Sequence, residues 1–301
     1  MDHREEVREF LTSRRARLTP ERAGLPAYPG KRRVPGLRRE ELAVLAGVSV
    51  DYLVRLERGK LTGVSEEVLE ALSRALQLDE AERQHLFDLA RAASARRTAR
   101  RRPTRQQVRR AVQRLLDSMA GAPAFVLNGR LDILAANQLG EALYAPMYAD
   151  PRRPANHARF LFLDPAATDF WLDWNKAAND TVAILRAEAG RDPYDRGTSD
   201  LIGELSTRSE DFRTRWAAHN VRIHDTGTKH IHHPVVGDLT VSFETLHPAA
   251  DTGQTLLTYT VEPNSPSEEA LSLLASWAAT NEQPDEQPAE EPTTVRTDQD
   301  H

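Results

Sequence analysis

A chain of 301 residues, 40% of them hydrophobic, is long enough for two compact domains, and no run in it approaches the ~20 apolar residues of a membrane span. The absence of cysteine excludes disulfides, thiolate zinc sites and thiol catalysis, and fits a reducing cytoplasm. The net charge of −5 hides an asymmetry: residues 1–104 hold 22 Lys/Arg against 16 Asp/Glu, a net of +6, and the remainder holds 18 against 29, a net of −11.

The chain opens on acids (Asp2, Glu5, Glu6, Glu9) rather than on a basic-then-apolar leader. Residues 2–16 read as a helix with Val7, Phe10 and Leu11 as its apolar stripe. Pro20, Gly24, Pro26, Pro29, Gly30, Pro35 and Gly36 make the next stretch a loop.

Residues 38–59, RREELAVLAGVSVDYLVRLERG, carry the spacing of a helix-turn-helix. Leu42, Ala43 and Ala46 share one face of a first helix, and small Ala43 allows a steep crossing. Gly47 supplies the positive φ of the turn, Val48 plugs the corner, and Ser49 caps a second helix by accepting an orphan N–H. Leu53 and Leu56 bury one side of that helix and Gly59 ends it. The outward side is then Val50, Asp51, Tyr52, Arg55 and Arg58, a polar and partly cationic face suited to a major groove. Lys31, Arg32, Arg33, Arg38 and Arg39 lie just upstream with few acids among them, as phosphate contacts would. An ordinary helical hairpin is the bland alternative, and this basic edge weighs against it.

Ser65 starts another helix, carrying Val68, Leu69, Leu72 and Leu76. Asp79 caps the next, with Leu86, Phe87, Leu89 and Ala90. The expected head is therefore all-α, covering residues 1–93. An arginine-rich linker, 94–104, follows; it is either solvated or an added phosphate contact.

A second domain is expected over 105–280. Val108, Val112, Leu115, Leu116 and Met119 form a helical stripe. PAFVLNGRLDILAAN alternates around Asn128-Gly129, a hairpin signal. Asn137–Leu143 reads as helix, Phe160–Leu163 as an apolar run, and Trp171 to Ala189 as a long helix ended by Gly190. Helices at 198–205 and 210–219 precede strands at 230–234, 239–246 and 255–262. Two early strands, central helices and three late strands predict a five-stranded antiparallel sheet in a PAS-like order. A short helix is expected over 267–279, and 281–301 is an acidic tail too polar to fold.

His219, His224, His230, His232, His233 and His247 invite a metal, but no Asp, Glu or Cys stands at a partner spacing, and a polar strand edge explains them. No Ser/His/Asp order, phosphate-binding glycine loop or carboxylate pair appears, so neither an enzyme nor a cofactor is expected. Phe125, Phe162, Trp171, Trp174, Phe212, Trp216 and Phe243 concentrate in the second domain. They are candidates for lining an apolar pocket, with plain core as the alternative.

GKRRVPGLRREELAVLAGVSVDYLVRLERGK resembles the Cro/C1-type (XRE) helix-turn-helix. ARFLFLDPAA, ELSTRSEDFRTRWAAHNV and GTKHIHHPVVGDLTVSFETL resemble the ligand-binding domain of MmyB-like transcription regulators. Together the two regions span residues 4–275. The resemblance implies a PAS-like second domain and an apolar, fatty-acid-like ligand. The expectation is a cytoplasmic, sequence-specific regulator that binds double-stranded DNA as a homodimer and senses a small apolar molecule. The rivals are a constitutive DNA-binding protein whose second domain only dimerises, and an enzyme built on that domain.

Overall fold

The computed structural model describes residues 3–26, 34, 36–94, 107–218, 226–251 and 253–281. Lys31, Arg32 and Arg33, nearly all of the arginine-rich linker, His219, His224 and the acidic tail from residue 282 lie outside the described residues.

The head consists of α1 (His3–Arg17), α2 (Arg39–Ala46), α3 (Val50–Glu57), α4 (Glu66–Ala75) and α5 (Glu80–Ser94). Val7, Phe10, Leu11, Leu42, Leu53, Leu72 and Leu86 meet in one leucine-rich core. Asp79 starts α5 with a reciprocal cap: the Glu82 N–H donates to Asp79 Oδ1 at 2.8 Å, and the Asp79 N–H donates to Glu82 Oε2 at 3.2 Å. Charges are buried here as well. Glu82 holds Arg14 and Arg17 at 3.0 and 2.8 Å, tying α1 to α5.

The second domain begins with α6 (Arg110–Ser118), β1 (Ala124–Asn128) and β2 (Ile133–Ala136). Helices α7 (Gln138–Leu143), α8 (Ala145–Tyr148), α9 (His157–Leu163), α10 (Ala167–Phe170), α11 (Trp174–Arg191), α12 (Arg196–Arg208) and α13 (Glu210–Ala217) follow. The chain then adds β3 (Thr226–His233), β4 (Gly237–Leu246), β5 (Gln254–Thr260) and α14 (Pro266–Asn281). All strand pairs are antiparallel, in the order β2-β1-β5-β4-β3, so the last strand occupies the centre.

Alternation sets the faces of the sheet. Phe125, Leu127, Leu239, Val241, Phe243, Leu257 and Tyr259 point to the helix-covered side and join its main core. Ala124, Val126 and Leu256 point the other way, against α6. Two local readings change. The apolar run Phe160–Leu163 is the second half of α9, which Asn156 caps by accepting the Arg159 N–H at 2.9 Å. Trp171 is extended rather than helical: it bridges to Ile231, and the Leu172 N–H donates to the His230 carbonyl at 3.1 Å. That pairing delays the start of α11 to Trp174.

Candidate nucleic-acid interface and ligand cleft

The turn between α2 and α3 follows from its residues. Gly47 adopts φ 66° and ψ 30°, and the Val48 N–H donates back to the Ala43 carbonyl at 3.0 Å. A Cβ at Gly47 would meet nothing within 4 Å, so the dihedral alone demands glycine. Ser49 Oγ accepts the Tyr52 N–H at 3.1 Å, and Leu53 and Leu56 are buried. Ser49, Val50, Asp51, Arg55 and Arg58 are thereby left exposed on one rim, with Tyr52 half-buried under the Arg55 guanidinium at 5.9 Å.

Arg38 and Arg39 are also exposed, but they differ. The Arg38 N–H donates to Glu41 Oε2 at 2.7 Å, leaving its side chain outward at the head of α2. Arg39 Nε donates to Glu57 Oε2 at 2.6 Å, while Arg15 Nε takes Glu57 Oε1 at 2.7 Å. Buried Glu57 thus clamps α1, α2 and α3, and half of the Arg39 side chain is committed to that scaffold. Sequence reasoning missed Glu57 because an acid beside Arg58 reads as surface.

The two domains meet where α5 packs on α11. Three side chains there, Glu6 of α1, His85 of α5 and Arg186 of α11, are each at most 4% exposed. Arg186 Nη1 donates to Glu6 Oε1 at 2.5 Å, its other terminal nitrogen donates to the Trp216 carbonyl, and its guanidinium lies 4.1 Å over the Trp216 ring. Burial alone would raise the Glu6 carboxyl, but His85, 3.8 Å away, and Arg186 outweigh it and hold the pKa at about 2. Gly190 gains a different meaning. It lies inside α11, and a Cβ there would stand 2.5 Å from a carbon of the His85 ring. It permits close approach of the two domains rather than ending the helix.

Beside this contact lies a cleft of about 300 Å³. Ala81, Gln84, His85 and Asp88 of α5 form one wall, and α11 contributes Ala177, Thr181 and Ile184. Leu127, Leu131, Leu257, His157, Trp171 and Lys229 also line it, together with polar and charged residues that include Asp173, Asp180 and Glu188. Of the seven aromatic candidates, Trp171 lines the cleft. Phe125 and Phe243 are buried in the main core beneath the sheet's covered face, where Phe125 stacks on Tyr144 at 4.4 Å. Phe162, Phe212 and Trp216 form a separate core, with centroids 5.1 and 5.5 Å apart in succession. Trp174 packs on Phe162 and donates its indole N–H to the Leu161 carbonyl at 3.1 Å. These rings fill the space between helices and sheet, so the cavity forms at the edge of the helical layer instead.

Lys229 was missed, and its signal is phase. Along β3, Lys229 shares the covered side of the sheet with Ile231 and His233, a position where an apolar residue is expected. Its Nζ lies 4.9, 5.2 and 5.3 Å from the ring centroids of Phe243, Tyr259 and Trp171. The histidines of β3 have local partners: His230 Nδ1 lies 3.1 Å from Thr240 Oγ1, His232 Nδ1 2.6 Å from Asp238 Oδ1, and His233 Nε2 3.1 Å from the Ala142 carbonyl. Among the described residues no group of three or more metal-capable side chains comes together, and no helix is long and apolar enough to cross a membrane.

Comparison with known families agrees with this division. A helix-turn-helix domain family matches residues 6–86, and the MmyB-like transcription regulator ligand binding domain matches residues 108–274, more than half of the chain. No curated protein matches it. With a cap-and-turn geometry that exposes one helix face and a second domain that closes a cleft against the head, the chain belongs to the MmyB-like transcription regulators and is a DNA-binding helix-turn-helix protein with a ligand-binding domain.

Proposed function

We propose that this regulator carries a Cro/C1-type (XRE) head that reads its operator as a homodimer, joined to a PAS-like domain that senses a small, apolar, fatty-acid-like molecule. The observation that carries this reading is the composition of the cleft, since α5 of the head supplies one wall and the ligand-binding domain the others. A molecule seated there touches both domains, so its affinity depends on how they are arranged. A ligand that binds one arrangement better shifts DNA binding by that difference and no more. The volume of about 300 Å³ is at the small end for ligand sites, and each CH₂ buried there contributes ~0.8 kcal/mol. The strand order β2-β1-β5-β4-β3 supports the PAS-like assignment.

On the DNA side, we assign Ser49, Val50, Asp51, Tyr52, Arg55 and Arg58 to the bases and Arg38 and Arg39 to phosphates, with Lys31, Arg32 and Arg33 assigned to phosphates from their charge alone. The working limits are 1–93 for the head, 94–104 for the linker, 105–280 for the ligand-binding domain and 281–301 for the tail. Calorimetry with fatty acids of graded length, with and without operator DNA, tests the reading. Affinity that rises with chain length and changes when operator is present is expected. No binding at any length overturns the sensor, and equal affinity with and without DNA overturns the coupling.

A further inference from the structure

The cleft contains several acids, and each has a basic partner. Asp180 pairs with Lys176 at 3.1 Å, Glu188 with Arg191 at 2.8 Å, Asp88 with Arg91 at 2.7 Å, and Asp173 lies 3.7 Å from His230. Lys229 differs. It is half-buried, lines the cleft and has no carboxylate partner among the described residues. Three ring faces and one phenol hold it: its Nζ donates to Tyr259 Oη at 2.8 Å. Tyr259 in turn hydrogen-bonds the Tyr144 hydroxyl. Burial pushes the Tyr144 phenol, at the far end of this hydroxyl pair, well above its ordinary value, so Tyr144 stays neutral.

A half-buried ammonium with no counter-charge is costly, and ring faces compensate only part of that. The ammonium has three N–H donors, and Tyr259 takes one. A second donor stands alongside: Trp171 also lines the cleft, and its buried indole N–H has no acceptor among the described residues. Two donors, one of them cationic, share a cavity whose further lining includes Leu127, Leu131, Ile184 and Leu257.

We propose that Lys229 is the anchor for the oxyanion head group of an amphipathic ligand, with Trp171 as the neighbouring donor and the apolar chain lying along the cleft. This rests on the sensor reading above and adds to it the charge of the ligand and the residue that selects it. A carboxylate and a phosphate share the required chemistry, and a neutral alcohol of the same length lacks it.

The test is calorimetry on the full-length protein with dodecanoate, dodecyl phosphate and dodecanol. One or both oxyanions should bind ~10–100-fold more tightly than the alcohol, and the tighter of the two identifies the head group. In Lys229→Met that advantage should collapse to within ~3-fold while dodecanol binding is retained, which also shows that the cavity is intact. Lys229→Arg should keep most of the advantage. Equal affinity of all three ligands for the unaltered protein, or an advantage that survives Lys229→Met, overturns the anchor. Binding of dodecanol at the level of the acids leaves the sensor standing without the anchor, whereas no binding by any of the three removes both.

Discussion

The candidate DNA face and the candidate ligand cleft are built in opposite ways. The first comes from one contiguous stretch, residues 38–59, in which Gly47, Ser49, Leu53 and Leu56 set the geometry and the residues between them face outward. The second gathers side chains from Ala81 to Leu257, on seven helices and strands of two domains. A site made by local turn chemistry tolerates changes elsewhere. A site made by docking depends on every contact that holds the domains together. Substitutions should therefore fall into two groups, and their sizes can break or sharpen the distinction.

The largest effect is expected at the domain contact. Arg186→Met leaves the Glu6 carboxylate buried without its guanidinium, which should cost ~3–5 kcal/mol of stability in urea titration. Adding Glu6→Leu should recover most of the loss, because the double variant buries no lone charge. A single variant as stable as the parent would show that the two domains do not depend on this pair.

Acid should act at the same place. The Glu6 carboxyl, held at about 2 when folded against an ordinary 4.5, contributes stability that is fully present above pH 4.5 and is lost as pH falls toward 2. The contribution is on the order of 3 kcal/mol. A Glu6→Gln variant whose stability falls as steeply over that window would assign the acid sensitivity to other carboxylates.

On the DNA side the effects are smaller, and on its exposed face they are confined to binding. Arg55→Ala should weaken operator affinity by ~1–3 kcal/mol in gel-shift titration and leave ligand affinity unchanged, since Arg55 is exposed and outside the cleft. Unchanged affinity and unchanged operator preference would remove it from the reading face. The smallest effect is expected at the turn. Gly47→Ala should cost ~1–2 kcal/mol through its positive φ alone, and Gly47→Asn less, because asparagine tolerates that region. Equal melting temperatures for the two variants would point to a cause other than the dihedral.

How much could be read from residues alone follows the same division. Ser49, Asp79 and Asn128-Gly129 were legible because caps and turns are properties of neighbours in sequence. The stripe Val7, Phe10 and Leu11 was legible as the buried face of α1, yet Glu6 and Arg14 beside it are just as buried. A charged residue paired inside looks identical in sequence to one in water until its partner, here up to 180 positions away, is known. Gly190 reads as a helix end because the ring that forbids its Cβ belongs to the other domain. The aromatic residues marked as pocket candidates all pack in or against the second domain's cores, and of them Trp171 alone also lines the cleft, because large rings close space as readily as they line it. The cleft lies where Trp171 leaves the helical path and Lys229 interrupts an apolar phase.

The order β2-β1-β5-β4-β3 also has a consequence for how the protein comes into being. The strand that joins the β1-β2 hairpin to β3 and β4 is the last one made, and it ends at Thr260. The buried members of the head's core all precede residue 91. At ~5–20 residues per second, β5 leaves the ribosome roughly ten to thirty seconds after the head does. Through that interval a nascent chain carries a complete reading head with no cleft behind it, its α5 wall bare and its Arg186 partner to Glu6 not yet fixed in a finished sheet. In each new copy the helices that carry the candidate DNA face are thus made well before the strand that completes the cleft.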